Sequence, residues 1–202
     1  MVPLTMIVEV STGEPLVVSA RAWAQNHGRE FSAVITLEDP EQPAHDRVRF
    51  DGQPSPDHLV LTFVDLDEPP PPAYVGMERF RMAERADVEN ALTFARAAGR
   101  DRLLVHCNVG VGRSTAVALA ILADRLGPGH ERQALDEVLR LRPQAVPNLR
   151  VLALADEALR RDGELVRVVQ AWEETKPENA RHRSYNRLAH FVFDGLDPGP
   201  GD

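Results

Sequence analysis

The chain has 202 residues, 43% hydrophobic and 27% charged, enough for one domain with a sizeable buried core. Its net charge of −8 at pH 7 weighs against nucleic acid or an anionic membrane as the main partner, so any anion site must be a local exception to the overall field. A lone cysteine, Cys107, excludes an internal disulfide, no apolar run is long enough to cross a bilayer, and the opening residues MVPLTMIVEV lack the marks of a secretory signal; the expected setting is a reducing cytoplasm.

In chain order, Thr5–Val10 reads as a strand, and helical periodicity follows over Ser19–His27 with Ser19 as its N-cap. Ser32–Leu37, Arg47–Phe50 and His58–Val64 read as further strands. The stretch DLDEPPPPA (Asp65–Ala73) comes next, and its prolines keep it out of both helix and sheet. A long helix is predicted over Gly76–Ala98, then an apolar strand over Arg102–His106. Helices are predicted at Ser114–Leu126, Glu131–Leu141, Asn148–Arg161 and Glu164–Glu174, with a weaker one at Arg181–Phe193. LGPGH (Leu126–His130) separates the first two of these, and the tail DGLDPGPGD is predicted to be disordered. This order implies an α/β fold: a single domain whose central, mostly parallel sheet is flanked by helices. Residues 1–175 are assigned to the domain and 176–202 to a C-terminal extension.

The most informative stretch is LLVHCNVGVGRST (Leu103–Thr115). A buried strand, a tight loop and a helix start bring backbone N–H groups and the positive end of a helix dipole to one point, which is an anion site. Gly110 and Gly112 permit the turns that close the backbone around a small oxyanion, and Arg113 closes the ring with a planar fork suited to phosphate. The same field favours a thiolate at Cys107, a nucleophile aimed at a bound phosphorus. His106 is a candidate to orient the loop or bias the thiolate. Ser114 is a candidate donor to the sulfur when it departs.

The segment HCNVGVGRS resembles the signature of the cysteine-dependent protein tyrosine and dual-specificity phosphatases, a His-Cys pair, five residues, then Arg and Ser or Thr. The resemblance is at motif level over Leu59–Leu126, extends through element order to Arg161, and finds no motif in the N-terminal third or the C-terminal residues. It implies a cysteinyl-phosphate intermediate, no metal or cofactor, and an aspartate on a separate loop as general acid. Such a loop follows the strand His58–Val64, where Asp65, Asp67 and Glu68 stand in LVLTFVDLDEPPPP. Asp65 comes straight off the strand and is preferred; Asp67 is the alternative. The phosphate would be held by Cys107, Asn108, Val109, Gly110, Val111, Gly112 and Arg113.

Other clusters carry less. The 7 histidines show no metal-ligand spacing, so no metal is expected. RPQAVPN (Arg142–Asn148) reads as a turn, and Arg142 is left out of the site. NARHRSYNRLAHF (Asn179–Phe191) gathers Arg181, His182, Arg183 and Arg187 and reads as a solvated helix face. The leading function is a phosphatase of phosphotyrosine, with phosphoserine and phosphothreonine as further substrates, acting on a phosphorylated protein or a small phosphomonoester. An inositol-phosphate or other small-molecule phosphatase and a catalytically weak phosphate-binding module are the alternatives. The absence of Lys and His among Asn108, Val109 and Val111 counts against polyphosphorylated substrates, and the two valines suit an aromatic phosphoester. Oligomeric state is not legible.

Overall fold

The sheet is built on the chain's most apolar runs. The structure, a computed structural model, describes residues 7–9, 15–52, 55–99 and 102–192. Its strands are β1 (Ile7–Glu9), β2 (Pro15–Ala20), β3 (Ala33–Glu38), β4 (Asp57–Thr62) and β5 (Leu103–Cys107), arranged β1-β2-β5-β3-β4. β2, β5, β3 and β4 run parallel, and β1 is antiparallel on the edge. β5 is paired on both sides and buried along its whole length, the setting that a continuous LLVHC run fits. Strand alternation then sends Leu103, Val105 and Cys107 to one face and Leu104 and His106 to the other.

Among the described residues the helices are α1 (Arg21–His27), α2 (Arg85–Ala98), α3 (Arg113–Leu126), α4 (Glu131–Leu141), α5 (Leu149–Leu159), α6 (Glu164–Glu173) and α7 (Pro177–Val192). The large core packs α2 to α6 on the Cys107 face, with α3 buried from Arg113 to Ala123. A helix apolar on nearly every side, as TAVALAILA is, can only sit in such a centre. The opposite face is thinner: α1 and the loops carrying Phe31 and Phe50 cover Val17, Val34 and Leu104. The α/β domain with a central, mostly parallel sheet is as the sequence implies, although its helices lie mainly on one face.

Several local expectations need correction. Ser19 is no helix cap: it lies buried in β2, a strand the sequence reading did not assign, and its hydroxyl bonds the Ala20 carbonyl. Pro15 begins that strand, where a missing N–H costs least. Arg47–Phe50 forms no strand. Val48 buries, Phe50 meets His58 edge-on and Arg49 grips Glu38 at 2.8 and 2.9 Å, so the alternation there reflects burial without a ladder. The helix predicted from Gly76 starts at Arg85, because a capping box of Glu84 and Asp87 begins it and Arg81 is pulled to β4. The C-terminal helix starts earlier than expected, at Pro177. The tail DGLDPGPGD lies outside the described residues.

Candidate active site

β5 delivers Cys107 to the carboxyl edge of the sheet between two parallel neighbours, and the chain turns at once into α3. This is where open α/β sheets hold ligands. The loop's carbonyls can be accounted for one by one. Asn108 O accepts from the Arg21 N–H at 3.2 Å, Val111 O from Val146 at 3.0 Å, and Gly112 O from Ala116 at 3.1 Å and Asn148 at 3.3 Å. Gly110 O and Val109 O accept from the Arg142 side chain at 3.0 and 3.3 Å. All carbonyls from Asn108 to Gly112 therefore turn outward. A trans peptide points its N–H opposite its C=O, so the following amides turn inward, around the sulfur.

Cys107 is 2% exposed, its Sγ accepting from the Gly110 N–H at 3.2 Å and lying 3.2 Å from the Ser114 hydroxyl. Gly110 has φ of 75°, and a Cβ there would fall 2.7 Å from the backbone of Ser19. Only glycine fits both the conformation and the gap.

Arg113 is buried at the start of α3. Its Nη1 donates to Phe63 O at 2.6 Å and lies 3.0 Å from Asp39 Oδ1, while Nε lies 3.9 Å from Asp65 Oδ2. Burial opposes its charge, but Asp39, Asp65 and Cys107 outweigh burial and raise its pKa above the ordinary value. Nε makes no hydrogen bond within the described residues.

The two candidate acids are set apart. Asp65 leans on the loop after Cys107: Oδ1 accepts from Asn148 Nδ2 at 2.9 Å, and a Cβ on Gly112 would fall 2.3 Å from Oδ2. Asp67 is turned away, its Oδ1 accepting from the Leu149 N–H at 2.6 Å and its Oδ2 from Arg183 Nη1 at 2.7 Å. Asn148 also caps α5 through Val151, so one side chain fixes both a helix start and the Asp65 carboxyl.

His106 faces away from Cys107. Its Nε2 lies 2.8 Å from Thr36 Oγ1, which lies 2.7 Å from His58 Nε2. A hydroxyl has one proton, so one ring donates to Thr36 and the other accepts. Burial pushes the His106 pKa down to about 3, and burial with Arg49 lowers that of His58. His106 is thus a neutral strut under the loop, not a cation beside the thiol.

Asn108 and Val109 are exposed at the rim, whereas Val111 is 8% exposed. A cleft of about 320 Å³ opens beside Asn108, bordered by Arg21, Asp39, Glu41, Asp46, Phe80 and His190. Arg142, left out of the site above, is a brace of its loop. Arg183 corrects the solvated reading of α7: it is largely buried between Asp67, Glu173 and Pro147 O. Asp39 was legible only through topology, as the residue just beyond β3 at the same sheet edge. Asn148 was legible as a cap, but not as a partner of Asp65. Among the described residues no group of three or more His, Cys, Asp or Glu is placed to hold a metal ion, and no helix is long and apolar enough to cross a membrane.

No family model and no curated protein matches the chain. Solved structures do. A mouse putative dual specificity phosphatase, complexed with zinc tungstate, aligns with a TM-score of 0.55 at 19% identity over 82% of this chain and 92% of its own. Tk-PTP in its active form aligns at 0.50 and 20% identity, over 80% and 99%. PTPMT1 in complex with PI(5)P aligns at 0.50 and 16% identity, over 72% and 90%. The chain therefore has the α/β fold of the tyrosine and dual-specificity phosphatases. At such identities the likeness is one of fold, and the chemistry must be argued from the chain's own residues.

Proposed function

We propose that this protein is a metal-independent phosphatase that hydrolyses phosphotyrosine, and phosphoserine or phosphothreonine where the groove admits them, through a cysteinyl-phosphate. The observation that supports this reading is the loop that turns its carbonyls outward and sets the Gly110 N–H on Cys107 Sγ at 3.2 Å, followed at once by Arg113, whose Nε makes no hydrogen bond among the described residues. The amides and the guanidinium hold the equatorial oxygens and offset the charge that develops on them. The Cys107 thiolate attacks phosphorus as the bond to the leaving oxygen breaks. The Asp65 carboxyl gives that oxygen its proton. Water then attacks the phosphocysteine, Asp65 takes back a proton, and the thiolate departs into the Ser114 hydroxyl and the Gly110 N–H. In the neighbouring cleft Asp39, Glu41 and Asp46 are set against Arg21 and Arg79, so it offers no surplus of cations for a polyphosphorylated inositol. The exposed Val109 suits an aryl group.

The test combines two variants with p-nitrophenyl phosphate, phenyl phosphate and a panel of phosphopeptides and inositol phosphates. Cys107→Ser is expected to lose about 10⁴-fold or more in kcat while still binding vanadate. Asp65→Asn is expected to slow phenyl phosphate by about 10²–10⁴-fold and p-nitrophenyl phosphate far less, because nitrophenolate leaves without a proton. Retained turnover in Cys107→Ser removes the nucleophile. Selective cleavage of inositol phosphates removes the substrate class, and vanadate binding without wild-type turnover makes the protein a binding module.

A further inference from the structure

Proton donation requires the Asp65 carboxyl to be held over the phosphate loop, yet the segment Asp65–Pro69 belongs to no helix or strand. Its anchors come from α7. Asn186 Nδ2 donates to Asp65 O at 2.6 Å, Arg183 Nη1 to Asp67 Oδ2 at 2.7 Å, and Arg187 Nη2 to Pro69 O at 3.2 Å. Arg183 is itself fixed by Glu173 at 2.6 and 3.2 Å and by Pro147 O at 2.9 Å. One turn further, Phe191 is buried in a stack with Tyr74 and Phe80, 5.5 and 5.3 Å between ring centres, against Val64 and Leu66 at the root of the same segment. Residues 183, 186, 187 and 191 follow the three-and-four spacing of one helix face. Each of the four side chains reaches that segment or its root.

We infer that α7 is a positioning element of the catalytic unit, in which Asn186 and Arg183 hold the Asp65 loop in its proton-donating position. This rests on Asp65 being the general acid. Asn186 grips the carbonyl of the acid's own residue, and Arg183 grips the second carboxylate, Asp67, which thereby becomes a tether. Asn148 orients the Asp65 carboxyl from the other side. Losing the α7 tethers lets the loop sample positions from which the carboxyl does not reach the leaving oxygen, and catalysis is sensitive to misplacements of about 1 Å. The cradle around Cys107 is held by Arg21, Arg142, Val146, Asn148 and Ser114, so it keeps its affinity for oxyanions when the Asn186 and Arg183 tethers are lost.

The experiment uses the full chain with Asn186→Ala, Arg183→Ala and Arg183→Lys, each compared with Asp65→Asn. The expected result for Asn186→Ala and Arg183→Ala is a kcat on phenyl phosphate lowered about 10-fold or more, with p-nitrophenyl phosphate within about 3-fold of wild type. Vanadate affinity should be unchanged, and the alkaline limb of the phenyl phosphate pH profile should flatten. Arg183→Lys, which keeps the charge on Asp67 but loses the fork, should fall between. Because Arg183 is largely buried, Asn186→Ala carries the test if Arg183→Ala does not fold. Wild-type leaving-group dependence in folded Asn186→Ala overturns the inference. If Asp65→Asn shows no leaving-group effect, the acid assignment fails instead, so the two failures are separable.

Discussion

At the residue scale the central fact is where each polar atom of the His106–Ser114 segment finds its partner. Cys107 and His106 are neighbours in sequence but lie on opposite faces of β5, so the thiol meets α3 while the imidazole meets Thr36 and His58. The buried imidazole links stability to pH. Its folded pKa of about 3 lies below the ordinary 6.5, so below pH 6.5 the unfolded chain takes up a proton that the folded chain does not. The stability is complete above pH 6.5 and is lost as the pH falls towards 3, at up to about 1.4 kcal/mol per pH unit. His106→Gln, whose amide can donate to or accept from Thr36, is therefore expected to have a shallower decline of Tm with falling pH in that window. The half-buried His58, whose pKa is also lowered by burial, contributes to the slope that remains. Parallel Tm profiles for the two proteins would remove this account of His106.

At the element scale, the loop after Cys107 is shaped as much by what surrounds it as by its own glycines. β2 supplies the backbone against which Gly110 packs, α1 supplies the Arg21 amide, and the α4–α5 connection supplies Arg142, Val146 and Asn148. Arg142 is 2% exposed, and burial pushes its pKa down while Cys107 works against that shift. Arg142→Met preserves much of the volume but strands the buried Gly110 carbonyl, at about 1–3 kcal/mol for an unsatisfied group, and frees that of the exposed Val109. Released carbonyls can rotate, and each rotation withdraws an inward amide from the ring. Vanadate affinity in Arg142→Met is expected to drop about 10-fold or more, together with a lower Tm; unchanged affinity would make Arg142 a fold residue only. The acid loop shows the same logic from the other side, since Asp65–Pro69 takes its shape from α5 and α7.

At the scale of the whole molecule, a net charge of −8 surrounds the site proposed to hold an anion. The conflict is resolved locally, by a buried guanidinium and converging peptide dipoles in a setting of low dielectric, where they act far more strongly than in water. The charge of Arg113 is in turn kept by Asp39 and Asp65, at 3.0 and 3.9 Å. Binding of an oxyanion to the folded state alone raises stability by about 2.7 kcal/mol at a hundredfold excess over Kd. Vanadate is accordingly expected to raise the Tm of the wild-type protein in a concentration-dependent way and to leave that of Arg113→Ala unmoved. A shift that survives Arg113→Ala would place the anion elsewhere on the molecule.

The sequence by itself determined the pieces whose geometry is local. The strand–loop–helix around Cys107, the two glycines, the arginine at the helix start and the α/β order all follow from dihedral preferences and hydrophobic periodicity within one short segment. Local pattern misled where packing overrode it: PLVVSA became the strand β2 because the sheet needed an inner neighbour for β5, and Arg47–Phe50 stayed outside the ladder. Only the tertiary structure decided which of Asp65 and Asp67 faces Gly112, that Arg142 and Asn148 brace the site, and that α7 reaches Asp65 from 121 positions away in the chain. Such contacts depend on how whole elements pack across the core, and no preference of neighbouring residues encodes a meeting between two points that far apart.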